Sequence, residues 1–196
     1  MSTYSIALFL HILGAVGLFI ALAYERLALY KIQRSKDHEH AMDWVQVLRM
    51  LPKIGISAAL LVLPSGIYLT EIAWRAAPWT GPALVAFILM AVVGAALSGP
   101  GYKKLEAGLS RDKERPSRPP LPGGLWISLA IRTGLALGIL FIMITKPTLM
   151  VTLLALLIAV VLAFGPAIHF FLKCRSLRQK ALRSRTDSGC GGPCHP

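Results

Sequence analysis

Charge is scarce in this chain: 15% of its 196 residues are Asp, Glu, Lys or Arg, and only 9 are acidic. Soluble globular domains carry nearer a quarter, so the composition excludes an ordinary soluble fold. Disorder is excluded from the other side, because 55% of the residues are hydrophobic and the mean hydropathy is +0.62. Cysteine is sparse as well. Three thiols, two of them in the last seven residues, do not make a disulfide scaffold. Enzymatic signatures are missing too: there is no GxSxG elbow, no phosphate-binding loop and no HExxH pair. No catalytic residue is therefore nominated.

What the chain does have is long apolar runs. A spanning helix needs about 20 mostly apolar residues, since a hydrocarbon core about 30 Å thick is crossed at about 1.5 Å per residue. Five stretches fit or nearly fit, at about 5–24, 54–73, 82–98, 125–145 and 148–172. The third is short and ends in Ser98-Gly99-Pro100-Gly101, which reads as a helix stop. The first lacks the basic start and small-residue cleavage site of a signal peptide, so it reads as a retained span. The expected fold is an all-α, polytopic bundle of five transmembrane helices in one domain, 1–172, followed by a tail.

The 21 Lys and Arg residues give this bundle a direction. Six lie in the first connection (Arg26, Lys31, Arg34, Lys36, Arg49, Lys53) and six in the third (Lys103, Lys104, Arg111, Lys113, Arg115, Arg118). Six more lie in the tail (Lys173, Arg175, Arg178, Lys180, Arg183, Arg185), while the second and fourth connections hold one each, Arg75 and Lys146. Basic loops stay in the cytoplasm. The expectation is an N-terminus outside, a C-terminus inside and a multi-pass location in the bacterial inner membrane. The formal charge of +12 then meets anionic lipid headgroups at the cytoplasmic loops rather than nucleic acid.

Between the first two spans, Ala41, Trp44, Val45, Leu48 and Leu51 recur at helical spacing. They predict an amphipathic helix lying in the membrane interface, with Trp44 at headgroup depth; a partner-docking helix is the alternative. The run Arg115-Pro116-Ser117-Arg118-Pro119-Pro120-Leu121-Pro122 is too rich in proline for a helix and reads as a stiff linker or a docking ligand.

Ionisable groups inside spans are costly, so each is a functional candidate. His11 lies about 9 Å inside the outer boundary at about 1.5 Å per residue, and Glu71 shares that leaflet. They can meet as an imidazole–carboxylate pair for proton transfer or for holding a metal-ligating histidine in one tautomer; the plainer reading of His11 is an interhelical hydrogen bond. Arg132 belongs to the inner half, where Glu25 is its natural counter-ion, and it reads as a snorkelling or paired structural residue or as a ligand for an anion. His169 is near the cytoplasmic surface, too far from His11 for the two to clamp one haem. Gly14 with Gly17, and Gly134 with Gly138, supply small faces for helix packing, while Pro64 and Pro166 are expected to kink the second and fifth spans. The tail, 173–196, is basic and reads as a disordered cytoplasmic segment. Its Cys190, Cys194 and His195 form a set that could take Cu(I) or Zn(II).

Two segments carry a resemblance. Leu10-His11-Ile12-Leu13-Gly14-Ala15 with Gly17, and Ile131-Arg132-Thr133-Gly134-Leu135-Ala136-Leu137-Gly138 followed by Phe141-Ile142-Met143-Ile144-Thr145-Lys146-Pro147, resemble a family of predicted bacterial integral membrane proteins of uncharacterised function. The resemblance covers about residues 5–171. The first-helix pattern is also similar to copper-resistance protein D-like membrane proteins, which implies a metal connection. Three functional classes follow: a metal- or haem-linked membrane protein using His11, a small transporter or transporter subunit, and an assembly protein that docks a membrane partner or a second copy of itself.

Overall fold

The computed structural model describes residues 2–35, 38–73, 77–111 and 123–165. Among these residues every regular element is helical. Helix α1 spans Thr3–Arg34, α2 His38–Ala73, α3 Thr80–Val93, α4 Gly99–Arg111 and α5 Gly123–Thr145. A π-helical turn, Gly94–Ser98, joins α3 to α4 without a break. A sixth apolar helix, α6, is described over Leu149–Gly165.

Among the described residues four helices are long and apolar enough to cross a membrane: Thr3–Arg34, Glu39–Ala73, Thr80–Leu109 and Gly123–Thr145. The described part of α6 is shorter than a span, and residues 166–172 of the expected fifth span lie outside the described residues. So do Pro166, His169, Cys174, Cys190, Cys194, His195 and the proline-rich run.

Two sequence expectations are corrected. The segment from Ala41 to Leu51 is not a separate interfacial helix: it is the first half of α2, which runs unbroken through Pro52 and Pro64. Its apolar face packs on protein, with Ala41, Val45, Leu48 and Leu51 buried in one core with Leu29 and Ile32 of α1, Leu105 and Leu109 of α4, and Leu125 and Leu129 of α5. Amphipathicity cannot distinguish a lipid partner from a helical one. Nor does Ser98-Gly99-Pro100-Gly101 stop the third span. Pro100 lacks an N–H, and its ring crowds the carbonyl one turn earlier. The wider π turn that ends at Ser98 absorbs this by carrying a spare residue, so the helix continues to Arg111.

The helices run antiparallel. The end holding Arg26, Lys31, Arg34, Arg49, Lys103 and Lys104 is called the basic end. At the opposite end lie the start of α1, the end of α2, the start of α3 and the end of α5. There α5 closes on Lys146, whose φ of 48° is left-handed and whose N–H donates to the Ile142 carbonyl at 2.8 Å. Glycine ordinarily takes that position; here Pro147 follows at once and forces the chain out of the helix.

Close contacts are made where side chains vanish. A Cβ on Gly14 would stand 2.7 Å from Val62 Cγ2 and 2.9 Å from the Ala58 carbonyl oxygen, and one on Gly17 3.2 Å from Ala58 Cβ. A Cβ on Gly134 would stand 2.7 Å from Val160 Cα, and one on Gly138 2.9 Å from Leu156 Cδ2. The α1–α2 and α5–α6 seams are thus small-residue seams.

Candidate functional site

Polar groups gather at two depths. The deeper set is at the basic end and centres on Glu25, which is 2% exposed. On α1, Glu25 shares a face with Ala21, Leu22, Ala28 and Leu29, all buried, so helical periodicity alone carries the carboxylate inward. Arg132 of α5 meets it there: Nη1 lies 2.8 Å from Glu25 Oε2 and 3.1 Å from Oε1. From α4, the Tyr102 hydroxyl donates to Glu25 Oε1 at 2.6 Å. Arg132 Nη1 also reaches Ser98 Oγ at 3.4 Å, and Ser98 Oγ lies 2.9 Å from Ser128 Oγ, one helical turn before Arg132. The π turn makes room for this. A Cβ on its first residue, Gly94, would stand 3.3 Å from Arg132 Nε.

The result is a buried carboxylate that accepts from two side chains and an arginine of α5 that bonds to both α1 and the π turn. Burying a charge is expensive unless it is paired and hydrogen-bonded, and here both conditions hold. Glu25, Tyr102, Ser98, Ser128 and Arg132 therefore tie α1, α4, the π turn and α5 together at one level. The arrangement engages Arg132 through Nη1, which faces Glu25 and Ser98.

The second set lies at the opposite end, around a cavity of about 260 Å³ lined by His11, Thr70, Glu71, Thr80 and Met143 together with apolar side chains. His11 Nδ1 is 3.1 Å from the Val62 carbonyl oxygen and 3.4 Å from Ser65 Oγ. A carbonyl only accepts, so Nδ1 carries the proton in this bond, and in the neutral ring the lone pair is then on Nε2. Ser65 donates to the Leu61 carbonyl. The imidazole fits because position 66 is glycine: a Cβ there would stand 3.1 Å from His11 Cε1. The closest partner of His11 is thus a backbone group in the turn around Pro64. Glu71 is a neighbour around the same cavity.

Among the described residues no group of three or more His, Cys, Asp or Glu side chains is placed to hold a metal ion. The cavity's volume of about 260 Å³ suits an ion with waters or a small polar molecule.

The sequence nominates His11, Glu71, Glu25 and Arg132; Glu25 and Arg132 form an ion pair, while His11 and Glu71 line one cavity. Sequence reasoning missed Tyr102, Ser98, Ser128 and Gly94. Tyr102 falls beyond the apparent stop at Pro100 and so reads as a loop residue. The two serines carry no charge to mark them. The partner of His11, a main-chain carbonyl, has no sequence signal at all.

No family model, no curated protein and no solved structure matches this chain. The likenesses noted in the sequence rest on their short motifs alone.

Proposed function

We propose that the chain is a five-span protein of the bacterial inner membrane, N-terminus outside and C-terminus inside, that acts as a small proton-linked carrier. The observation that carries this reading is a one-sided arrangement of polar groups. A cavity with His11, Glu71, Thr70 and Thr80 lies at one end, while the Glu25–Arg132–Tyr102 cluster closes the basic end. Along α1 the two sites are about 21 Å apart, from 14 residues at about 1.5 Å each. A solute site facing one side with a polar latch at the other is one of the two states a carrier needs, and polar groups within spans mark such routes. Both sites hold an ionisable side chain, the His11 imidazole in one and the Glu25 carboxylate in the other.

The test uses chain whose three cysteines are replaced by serine. With Thr70→Cys added, a membrane-impermeant maleimide applied from the N-terminal side should label the cavity. Arg132→Ala should release the latch, favour the opposite state and slow that labelling several-fold. Labelling unchanged by Arg132→Ala would sink the carrier reading. A reporter enzyme active only in the periplasm and fused after Pro196 should be silent; strong activity would overturn the orientation.

One observation favours a second reading, metal binding through His11. A histidine whose Nδ1–H is held by a carbonyl presents Nε2 as a metal-ligating histidine does. Near-stoichiometric copper, iron or zinc in the purified protein, lost in His11→Ala, would put this reading first. Metal-free protein that still shows latch-dependent labelling would retire it.

A further inference from the structure

The α5–α6 seam opens on one side into a groove of about 550 Å³, lined by Trp126, Thr133 and Phe141 of α5, Ala155 and Ala159 of α6, and Arg26 of α1. Apart from Arg26 and Thr133, its lining side chains are apolar or aromatic. Along α5 the groove runs from Trp126 to Phe141, about 22 Å at about 1.5 Å per residue. One leaflet of hydrocarbon is about 15 Å deep, so the groove is long enough for an acyl chain lying along the helices. Its basic end has the features of a headgroup site. Trp126 lines the groove there. Arg26 is exposed, and among the described residues its guanidinium makes no ion pair, although its neighbour Glu25 is fully engaged. Glu25 turns inward to Arg132, and Arg26, next along the helix, turns out to the groove.

We infer that this groove binds one anionic phospholipid, with an acyl chain against Thr133, Ala155 and Ala159 and the phosphate on Arg26. The site is separate from both polar sets described above. The lipid fills the space the small residues of α6 leave open, and Arg26 selects headgroups by net negative charge. A bilayer supplies this molecule at all times, so the site is structural rather than a transport site.

The test is native mass spectrometry of the delipidated full chain in mild detergent, titrated separately with phosphatidylglycerol and phosphatidylcholine. Wild type should retain one phosphatidylglycerol in preference to phosphatidylcholine. Arg26→Gln should weaken that retention about fivefold, the worth of one basic residue at an anionic headgroup. Ala155→Trp, which fills the groove, should abolish it, and Thr133→Phe serves the same purpose should that variant misfold. Val85→Trp, at an exposed apolar position outside the groove, should leave retention unchanged. Equal binding of the two lipids, or phosphatidylglycerol retention unaffected by Arg26→Gln, would overturn the proposal. A dimer that Ala155→Trp splits into monomers would overturn it too, by making a second copy of the chain the occupant.

Discussion

Leu48 and Leu60 lie on the same helix, yet Leu48 is 1% exposed and Leu60 is 67% exposed. The contrast holds for whole regions. At the basic end α1, α2, α4 and α5 enclose a core of Leu29, Ile32, Leu48, Leu105 and Leu125 much as a soluble bundle does. Toward the opposite end large side chains such as Leu60, Ile56, Val85 and Ile144 face outward, and contact depends on glycine. Helix length explains the difference. At 32 and 36 residues, α1 and α2 are about 48 and 54 Å long at about 1.5 Å per residue, well beyond a hydrocarbon core of about 30 Å. The excess turns need protein to cover them. In a bilayer the remainder is covered by acyl chains as apolar as leucine, so close backbone approach has to supply the attraction.

Removing the charge at the centre of the packed region should have the largest effect. Glu25→Ala leaves the part-buried Arg132 without its counter-ion and is expected to cost up to about 3–5 kcal/mol, read as lost thermal stability in detergent. Glu25→Ala with Arg132→Ala should recover part of that loss. Strict additivity in this double-mutant cycle would mean that the pair does not couple.

The two leucines test the regional contrast directly. Leu48→Ala should cost about 2–5 kcal/mol as a core cavity, while Leu60→Ala should stay within about 0.5 kcal/mol as a surface change. Equal losses would erase the distinction between the regions. Tyr102→Phe removes the bond to Glu25 and should cost about 1.5–3 kcal/mol, the range for a hydrogen bond to a charged group. A neutral result would leave Tyr102 outside the latch. At the α5–α6 seam, Gly134→Ala forces a Cβ against the backbone of α6 and should cost about 1–3 kcal/mol, whereas Gly81→Ala meets no atom within 4 Å and should be close to neutral. If the two alanines behaved alike, the α5–α6 seam would not be held by close approach.

Much of the helix plan was legible because apolar runs of spanning length can be read one residue at a time. The errors came where a local signal has two solutions. The apolar stripe of Ala41, Val45, Leu48 and Leu51 suits a membrane surface or a neighbouring helix equally, and only the nearness of Leu29, Ile32 and Leu105 decides between them. Pro100 stops an α-helix, yet a π turn before it lets the helix continue. Depth counted along the sequence placed Arg132 level with Glu25 and His11 level with Glu71. It could not rank a carboxylate against a main-chain carbonyl as the partner of an imidazole.

By itself, then, the sequence determined that the chain forms long apolar helices with basic residues gathered at one end, because hydropathy and charge are properties of each residue in its own neighbourhood. Tertiary structure alone decided that Tyr102 and Ser98 join Glu25 and Arg132, that His11 donates to Val62, and that Arg26 is left facing an open groove. These depend on which helix faces which. That is set by where glycines let backbones touch and by where a π turn re-aims a helix, quantities that belong to pairs of helices.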